Sequence, residues 1–390
     1  MKYYVTSLFV LYCCYANAKL SGEQLVNAVY KAAVKKQTMS YSAHCLFKFF
    51  DYDDTNAFAG NVYLKRAEKD AVFHGMVRYQ VDDTFYRFYD LQKVYFVNNK
   101  DKKATTYDAH KHEDWGLTSS IYYRIVWKGF LDLSSIKELA NKKNKLAVLP
   151  DTIFKGRDCY RLQVTLPDED GFTNNTTVFF INKADSIPVY KTNSVKFQGQ
   201  VQYFQFILDD YNFKPIDANK FSAKQIPSSY AVTAFKREKD DEKTLDTGVA
   251  APALTGANYS NGMKTETVAF SDKITVLDFW YMGCYPCGKA IPELNKLSEK
   301  YAGKQVQVMG VNSIDSNIKS IKKLPDFLQY NPMKYSTLLV GDDIRKRYMV
   351  NAFPTLYIID KKGIVRHASI GYEPGMSDKL SKVIDRLLME

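Results

Sequence analysis

The chain has 390 residues, 46% of them apolar, 14% aromatic and 25% charged, with a formal net charge of +11. That length exceeds one ordinary domain and fits two, and the composition excludes a disordered chain. The lysines are scattered rather than grouped on one helix face, so the positive charge reads as solvated surface and no nucleic-acid partner is expected.

The first 18 residues, MKYYVTSLFVLYCCYANA, carry Lys2, an apolar run from Tyr3 to Tyr15 and small residues at Ala16 and Ala18. This is the pattern of a secretory signal cleaved after Ala18, and the run is short for a bilayer span of about 20 residues. Export to the periplasm or cell envelope is therefore expected. Of the six cysteines, Cys45, Cys159, Cys284 and Cys287 would remain, in a compartment where disulfides persist.

Residues 21–38 open with a Ser-x-x-Gln capping pattern, and Leu25, Val29, Ala32 and Ala33 recur at helical spacing. From Tyr41 to about Asp108 short alternating runs such as GNVYLKRAE and TFYRFYD predict antiparallel strands. A helical interlude between Gly116 and Lys145, including LSSIKELANKKNK, precedes more strands: CYRLQVTLP, TTVFFINK, IPVYKTNSVK and QVQYFQFILDDYNF. Residues 22–215 thus read as one α+β domain. Residues 216–247, with the charge run KREKDDEK, read as a linker. From 248 to 390 apolar strands alternate with helices, which predicts an α/β sheet covered on both faces.

The second domain holds Cys284-Tyr285-Pro286-Cys287 directly after the apolar strand ITVLDFW and at the start of the helical pattern GKAIPELNKLSEKY. Amide groups and the positive dipole end at that turn favour a thiolate, so Cys284 is expected to be the nucleophile. Cys287, one turn further in, can displace the mixed disulfide that Cys284 forms with a partner. Pro286 suits a first helical turn because its fixed φ is preorganised and its missing N–H is not needed there. Zinc is disfavoured because no second C-x-x-C supplies further ligands, and haem attachment is disfavoured because Gly288 stands where a histidine is needed. No metal is expected, and no cofactor beyond the redox-active Cys284–Cys287 pair.

VLDFWYMGCYPCGKAIPEL followed by FPTLYIIDKKGIVRHASIGY resembles the thioredoxin superfamily, and within it the exported TlpA-like thiol:disulfide oxidoreductases of the ResA type. The resemblance covers about 248–390 and implies an α/β thioredoxin-like fold. It also implies an acid, Asp278, that relays the proton of Cys287, an aromatic, Trp280, before the turn, and a helix-kinking Pro292. It further implies a cis Phe353-Pro354 bond facing the dithiol, with Trp280, Tyr285, Pro286, Phe353, Pro354 and Gly371 forming the client-binding surface. Read from the residues alone, the competing readings are a strand-end carboxylate reaching solvent for Asp278 and a strand-opening proline for Pro354. Two departures stand out: Ala290 replaces a glutamate that many TlpA-like members carry, and Gly283 replaces a tryptophan. A peroxide-reducing relative would need Thr-x-x-Cys, and Tyr281 occupies the threonine's place.

The front domain more weakly resembles the LolA-like envelope proteins, through phrases such as DTIFKGRDCYRLQVTLP. That resemblance implies an antiparallel half-barrel that holds a lipid or lipoprotein ligand, although its aromatic strands fit a filled core equally well. Cys45 and Cys159 both fall in strand patterns, as buried thiols or as a structural disulfide. The expected function is an exported thiol:disulfide oxidoreductase, a reductase of envelope protein disulfides recharged by an upstream redox donor. The alternative is a lipid or lipoprotein carrier whose thioredoxin-like part is a passive appendage.

Overall fold

The computed structural model describes residues 20–390 apart from 51–54, 112–125, 170, 198 and 237–242, so the expected secretory signal lies outside the described residues. Among the described residues no helix is long and apolar enough to cross a membrane. The chain builds two sheets, one from residues 38–234 and one from 255–370.

Helix α1 (Gly22–Val34) begins at a capping box, in which the Ser21 hydroxyl accepts from the Gln24 N–H at 3.2 Å and the Gln24 side chain accepts from the Ser21 N–H at 2.7 Å. Two of the helix's unpaired N-terminal donors are thereby satisfied. Its buried face, Leu25, Val26, Val29 and Ala33, packs with Leu162, Val164 and Ile181 of the sheet.

The front sheet has strands β1 (Thr38–Lys48), β2 (Asn56–Arg66), β3 (Gly75–Gln80), β4 (Phe85–Tyr89), β5 (Lys93–Asn98) and β6 (Lys103–Asp108). After helices α2 (Lys128–Leu131) and α3 (Ser134–Glu138) it continues with β7 (Lys145–Phe154), β8 (Arg157–Thr165), β9 (Phe172–Asn182), β10 (Pro188–Phe197), β11 (Gln200–Asn212) and β12 (Ala231–Ala234). Their order is β12-β6-β5-β4-β3-β2-β1-β11-β10-β9-β8-β7, a meander folded back on itself through the β1–β11 pair. β12 and β7 are its two edges, so the sheet is open and no closed barrel forms among the described residues. Buried Arg66 ties the layers together: its guanidinium donates to the carbonyls of Phe130 in α2 and Ala33 in α1 at 2.7 and 3.0 Å.

The stretch expected to be a linker, 216–247, is partly built into this sheet. β12 runs parallel to β6, and Ile226 and Tyr230 pack on Tyr86, Phe88 and Tyr95. Apolar side chains hidden among charged neighbours explain why composition alone missed it.

The second sheet comprises β13 (Thr255–Asn258), β14 (Lys264–Thr267), β15 (Ile274–Phe279), β16 (Val306–Asn312), β17 (Ser336–Leu339), β18 (Thr355–Ile359) and β19 (Val365–Ile370), in the order β14-β13-β17-β16-β15-β18-β19. β15, β16 and β17 are parallel, and β18 lies antiparallel to β15. Helix α4 (Tyr285–Lys300) and the last helix pack on one face through Leu294, Leu297, Leu380 and Ile384, while Phe279, Met309, Tyr348 and Tyr357 fill the other. All six residues of β15 are buried, as expected of a central strand covered on both sides.

Candidate active site

β15 ends at Phe279, and a short loop carries the chain into α4 with Cys284 as its N-cap. Cys284 and Cys287 form a disulfide with a Cα–Cα separation of 5.2 Å. The Cys287 N–H donates to the Cys284 Sγ at 3.1 Å, and the Gly288 N–H donates to the Cys284 carbonyl at 3.1 Å. One first-turn amide of α4, that of Cys287, therefore points at the sulfur that would carry negative charge after reduction. This is the local arrangement that lowers a thiol pKa. Pro286 occupies the first turn, and Pro292 lies inside the helix.

Asp278 is fully buried in β15. Desolvation raises its pKa to about 7, against the lowering effect of the Tyr335 hydroxyl, which donates to Oδ2 at 3.0 Å. Its Oδ1 has no hydrogen-bond partner among the described residues. A carboxyl in this state can take or give a proton near neutrality, and the solvent-facing alternative is ruled out by its burial.

The Phe353–Pro354 bond is cis. The Pro354 carbonyl accepts from the Gly371 N–H at 2.7 Å, and Gly371 adopts φ +84°, a conformation that glycine reaches without strain. Antiparallel pairing sets Asp278 opposite Leu356 and Phe279 opposite Thr355, so the proline loop and the dithiol loop emerge at the same end of neighbouring strands. The Tyr281 and Phe353 rings meet edge to face at 5.2 Å, and both pack in the cluster that holds Cys284 and Cys287. Cys284 retains only 3% exposure in this oxidised form. Access is narrow.

Tyr285 is half-buried and Pro286 exposed. Trp280 differs from expectation: it is fully buried, stacks on Phe327 at 5.1 Å and donates from Nε1 to the Thr337 hydroxyl at 3.0 Å. It is a floor beneath the dithiol loop and does not reach the client-facing surface.

Two residues that the motif gave no reason to single out also shape the site. Tyr335 is the partner of Asp278, and Asp315, three residues past the end of β16, accepts from the Met282 N–H and from the Asn312 side chain, each at 2.8 Å. Asp315 thus fixes the backbone two residues before Cys284. The Asn-x-x-Asp spacing from 312 to 315 is a turn signature, but nothing in the sequence connects it with residue 282.

No disulfide joins Cys45 and Cys159, and both thiols are buried. Cys45 lies on β1 and Cys159 on β8, with β11, β10 and β9 between them. Four strand spacings amount to on the order of 15–20 Å, far beyond the roughly 7 Å limit for bridged Cα atoms. Burial pushes the Cys45 thiol up to about 12, away from thiolate chemistry.

A family model described as the AhpC/TSA family matches residues 247–368. The thioredoxin-like protein YneN of Bacillus subtilis (strain 168) is 30% identical over 130 residues, 33% of this chain and 75% of that protein. The thiol-disulfide oxidoreductase ResA of Bacillus cereus (strain ATCC 10987 / NRS 248) is 30% identical over 134 residues, 34% of this chain and 75% of its own length. Among solved structures, a thiol:disulfide interchange protein DsbE from Chlorobium tepidum is 26% identical and covers 37% of this chain and 99% of that one, with a TM-score of 0.34. Through its C-terminal region this chain belongs to the thioredoxin-like TlpA/ResA group and is a protein-disulfide oxidoreductase.

Proposed function

We propose that this oxidoreductase is exported and reduces disulfides in proteins of the cell envelope through Cys284 and Cys287, with Asp278 as the proton relay. The observation that carries this reading is a buried carboxyl titrating near pH 7, with one unbonded oxygen, on the strand that leads into an N-capping cysteine.

In the reductase direction the Cys284 thiolate attacks one sulfur of a client disulfide. The other client sulfur leaves as thiolate and takes a proton from solvent. Asp278 accepts the proton of the Cys287 thiol, and the resulting thiolate attacks Cys284 Sγ, releasing the second client sulfur. The client gains two electrons and the enzyme is left as the Cys284–Cys287 disulfide. An upstream dithiol donor then returns two electrons and closes the cycle. The client's extended segment pairs with the backbone beside cis Pro354 while Tyr285, Pro286 and Gly371 border the same surface.

Direction is tested by the reduction potential of the pair. A value near −270 mV, as in thioredoxin, is expected, whereas one near −120 mV would make the enzyme an oxidant and overturn the reading.

The front sheet supports a lipid partner in addition. A cavity of about 230 Å³ between α1, α3 and the sheet is lined by Val29, Trp127, Ile136, Leu162 and Phe206, with Lys128 and Lys191 as its charged side chains. Burial, followed by the nearby Lys128 charge, lowers the Lys191 pKa. An apolar cavity with an ammonium group suits an acyl chain bearing an anionic head. Displacement of a fluorescent fatty acid from the parent but not from Lys191→Leu is expected, and equal displacement from both would remove this partner.

A further inference from the structure

Four aromatic rings join the rim of the front sheet to the dithiol loop. Phe172 opens β9 and Phe197 closes β10; their rings stack at 4.6 Å and 28°. Each lies 5.4 Å from the ring of Tyr285, the residue immediately after Cys284. Phe50 backs the pair at 6.0 and 5.6 Å. On the far side the Lys289 ammonium sits 5.4 Å from the Tyr285 ring centre. The residue next to the nucleophile is therefore held by the other sheet as much as by its own helix.

This clasp encloses a cleft of about 250 Å³ lined by Gly171, Phe197, Tyr285, Gly288 and Tyr330. The close approach is built into the backbone. A Cβ on Gly199 would lie 2.7 Å from the Tyr330 ring, and Gly199 has φ +79°, so only glycine fits this corner without strain. Tyr330 itself is 62% exposed. The cleft is smaller than the roughly 300–1,000 Å³ of cofactor sites, so its size suits a single side chain. Three aromatic rings, Phe197, Tyr285 and Tyr330, line it together with Lys289 and Asn331. Because it shares Tyr285 with the disulfide, an occupant would come from a chain whose sulfur lies at Cys284.

We propose that the front sheet supplies part of the client site: Phe197, held in place by Phe172, acts with Tyr330 to select protein disulfides that carry a large apolar side chain within a residue or two of the attacked cysteine. This rests on the reading that the clients are proteins, and it adds which proteins they are. Selection of this kind is a difference of affinities, worth about 10- to 200-fold for apolar groups in such pockets. With Cys284 only 3% exposed, a client must displace little and fit well, so the wall beside Tyr285 has leverage over which chains react.

The test uses the full chain and three probes: two disulfide-linked peptides identical except for Leu or Ser beside the cysteine, and glutathione disulfide. For the parent, kcat/KM is expected to favour the Leu peptide by about tenfold. In the double variant Phe172→Ala/Phe197→Ala the Leu-to-Ser ratio should fall to about one, through KM rather than kcat. A ratio that stays at its parent value overturns the proposal. So does a parallel fall in turnover of all three probes, which would mean that the rings only support the loop. Should the double variant fail to fold, judged by its melting transition, Tyr330→Ala decides: it must lower the same ratio, and an unaltered ratio overturns the proposal. A parent that turns over none of the three probes would instead sink the redox reading beneath it.

Discussion

The two sheets each contain two cysteines in strand-rich, well-buried surroundings, and they treat them in opposite ways. In the second sheet Cys284 and Cys287 leave the strand, meet the amides of a helix start and lie 5.2 Å apart by Cα. In the front sheet Cys45 and Cys159 stay inside strands, separated by three others, with burial holding Cys45 protonated. Residue type does not decide reactivity. What decides it is whether the backbone delivers unpaired donors to the sulfur and a second sulfur within reach.

The strongest way to break this contrast is to remove the first sulfur. Cys284→Ser should abolish insulin reduction, a loss of more than about 10³-fold given that no other residue can replace a nucleophile. Cys287→Ser should leave the first attack intact and trap a covalent client adduct, visible on non-reducing gels. A turnover rate near the parent value in either variant would end the account of the dithiol.

Asp278→Asn should slow reduction at pH 7 by about 10²-fold, the lower range of general acid–base effects, and should remove the inflection near pH 7 from the rate profile. It also bears on stability. Since burial raises the carboxyl from 3.8 to about 7, the folded chain keeps its proton across that window where the unfolded chain has lost it, and stability falls as pH rises from about 4 to 7. The asparagine variant should lack that slope and be the more stable form at pH 8, by up to about 4 kcal/mol from the cost per pKa unit. A parent whose melting temperature is flat over this window would contradict the assignment.

Smaller still is Tyr335→Phe. The Tyr335 hydroxyl lowers the Asp278 pKa by donating to Oδ2, so its removal should move the kinetic inflection to higher pH by under about one unit. A shift to lower pH would refute the geometry. The smallest effects sharpen the comparison from the other side. Cys45→Ala and Cys159→Ala should leave turnover as it is and cost about 1–2 kcal/mol of stability through lost packing. Alkylation of the oxidised, denatured protein should label Cys45 and Cys159 and spare the other two; protection of the front pair would show the disulfide that the strand order forbids.

The second sheet was largely legible because its chemistry is local. Cys284, Cys287 and Pro286 sit within four residues, and the strand-to-helix change on either side fixes what they can do. Asp278 was legible as an acid on a strand, although only the packing of both sheet faces makes it a buried one. Trp280 was read as client-facing from its place before the turn, but the side to which a loop aromatic swings depends on Phe327 and Thr337, far away in the chain. The same holds for Tyr335 and Asp315, whose partners come from other elements. In the front sheet the strands were legible from alternation, whereas β12 was not, because a four-residue edge strand beside a charge run carries no period to read. The distance between Cys45 and Cys159 depended on strand order, which alternation does not encode.

β12 has one more consequence. The Phe235 N–H just beyond it donates to the Thr106 carbonyl, and the Leu245 N–H is already bonded to Tyr357 in the second sheet. Only about ten residue steps lie between these anchor points, a leash of at most about 36 Å when pulled straight. Even with the aromatic clasp released, the rim could drift no further, and its encounter with the redox loop would remain an intramolecular event at millimolar-scale effective concentration. Because β12 carries the front sheet as far as Ala234, the stretch of chain from the front sheet to the Leu245 anchor is short.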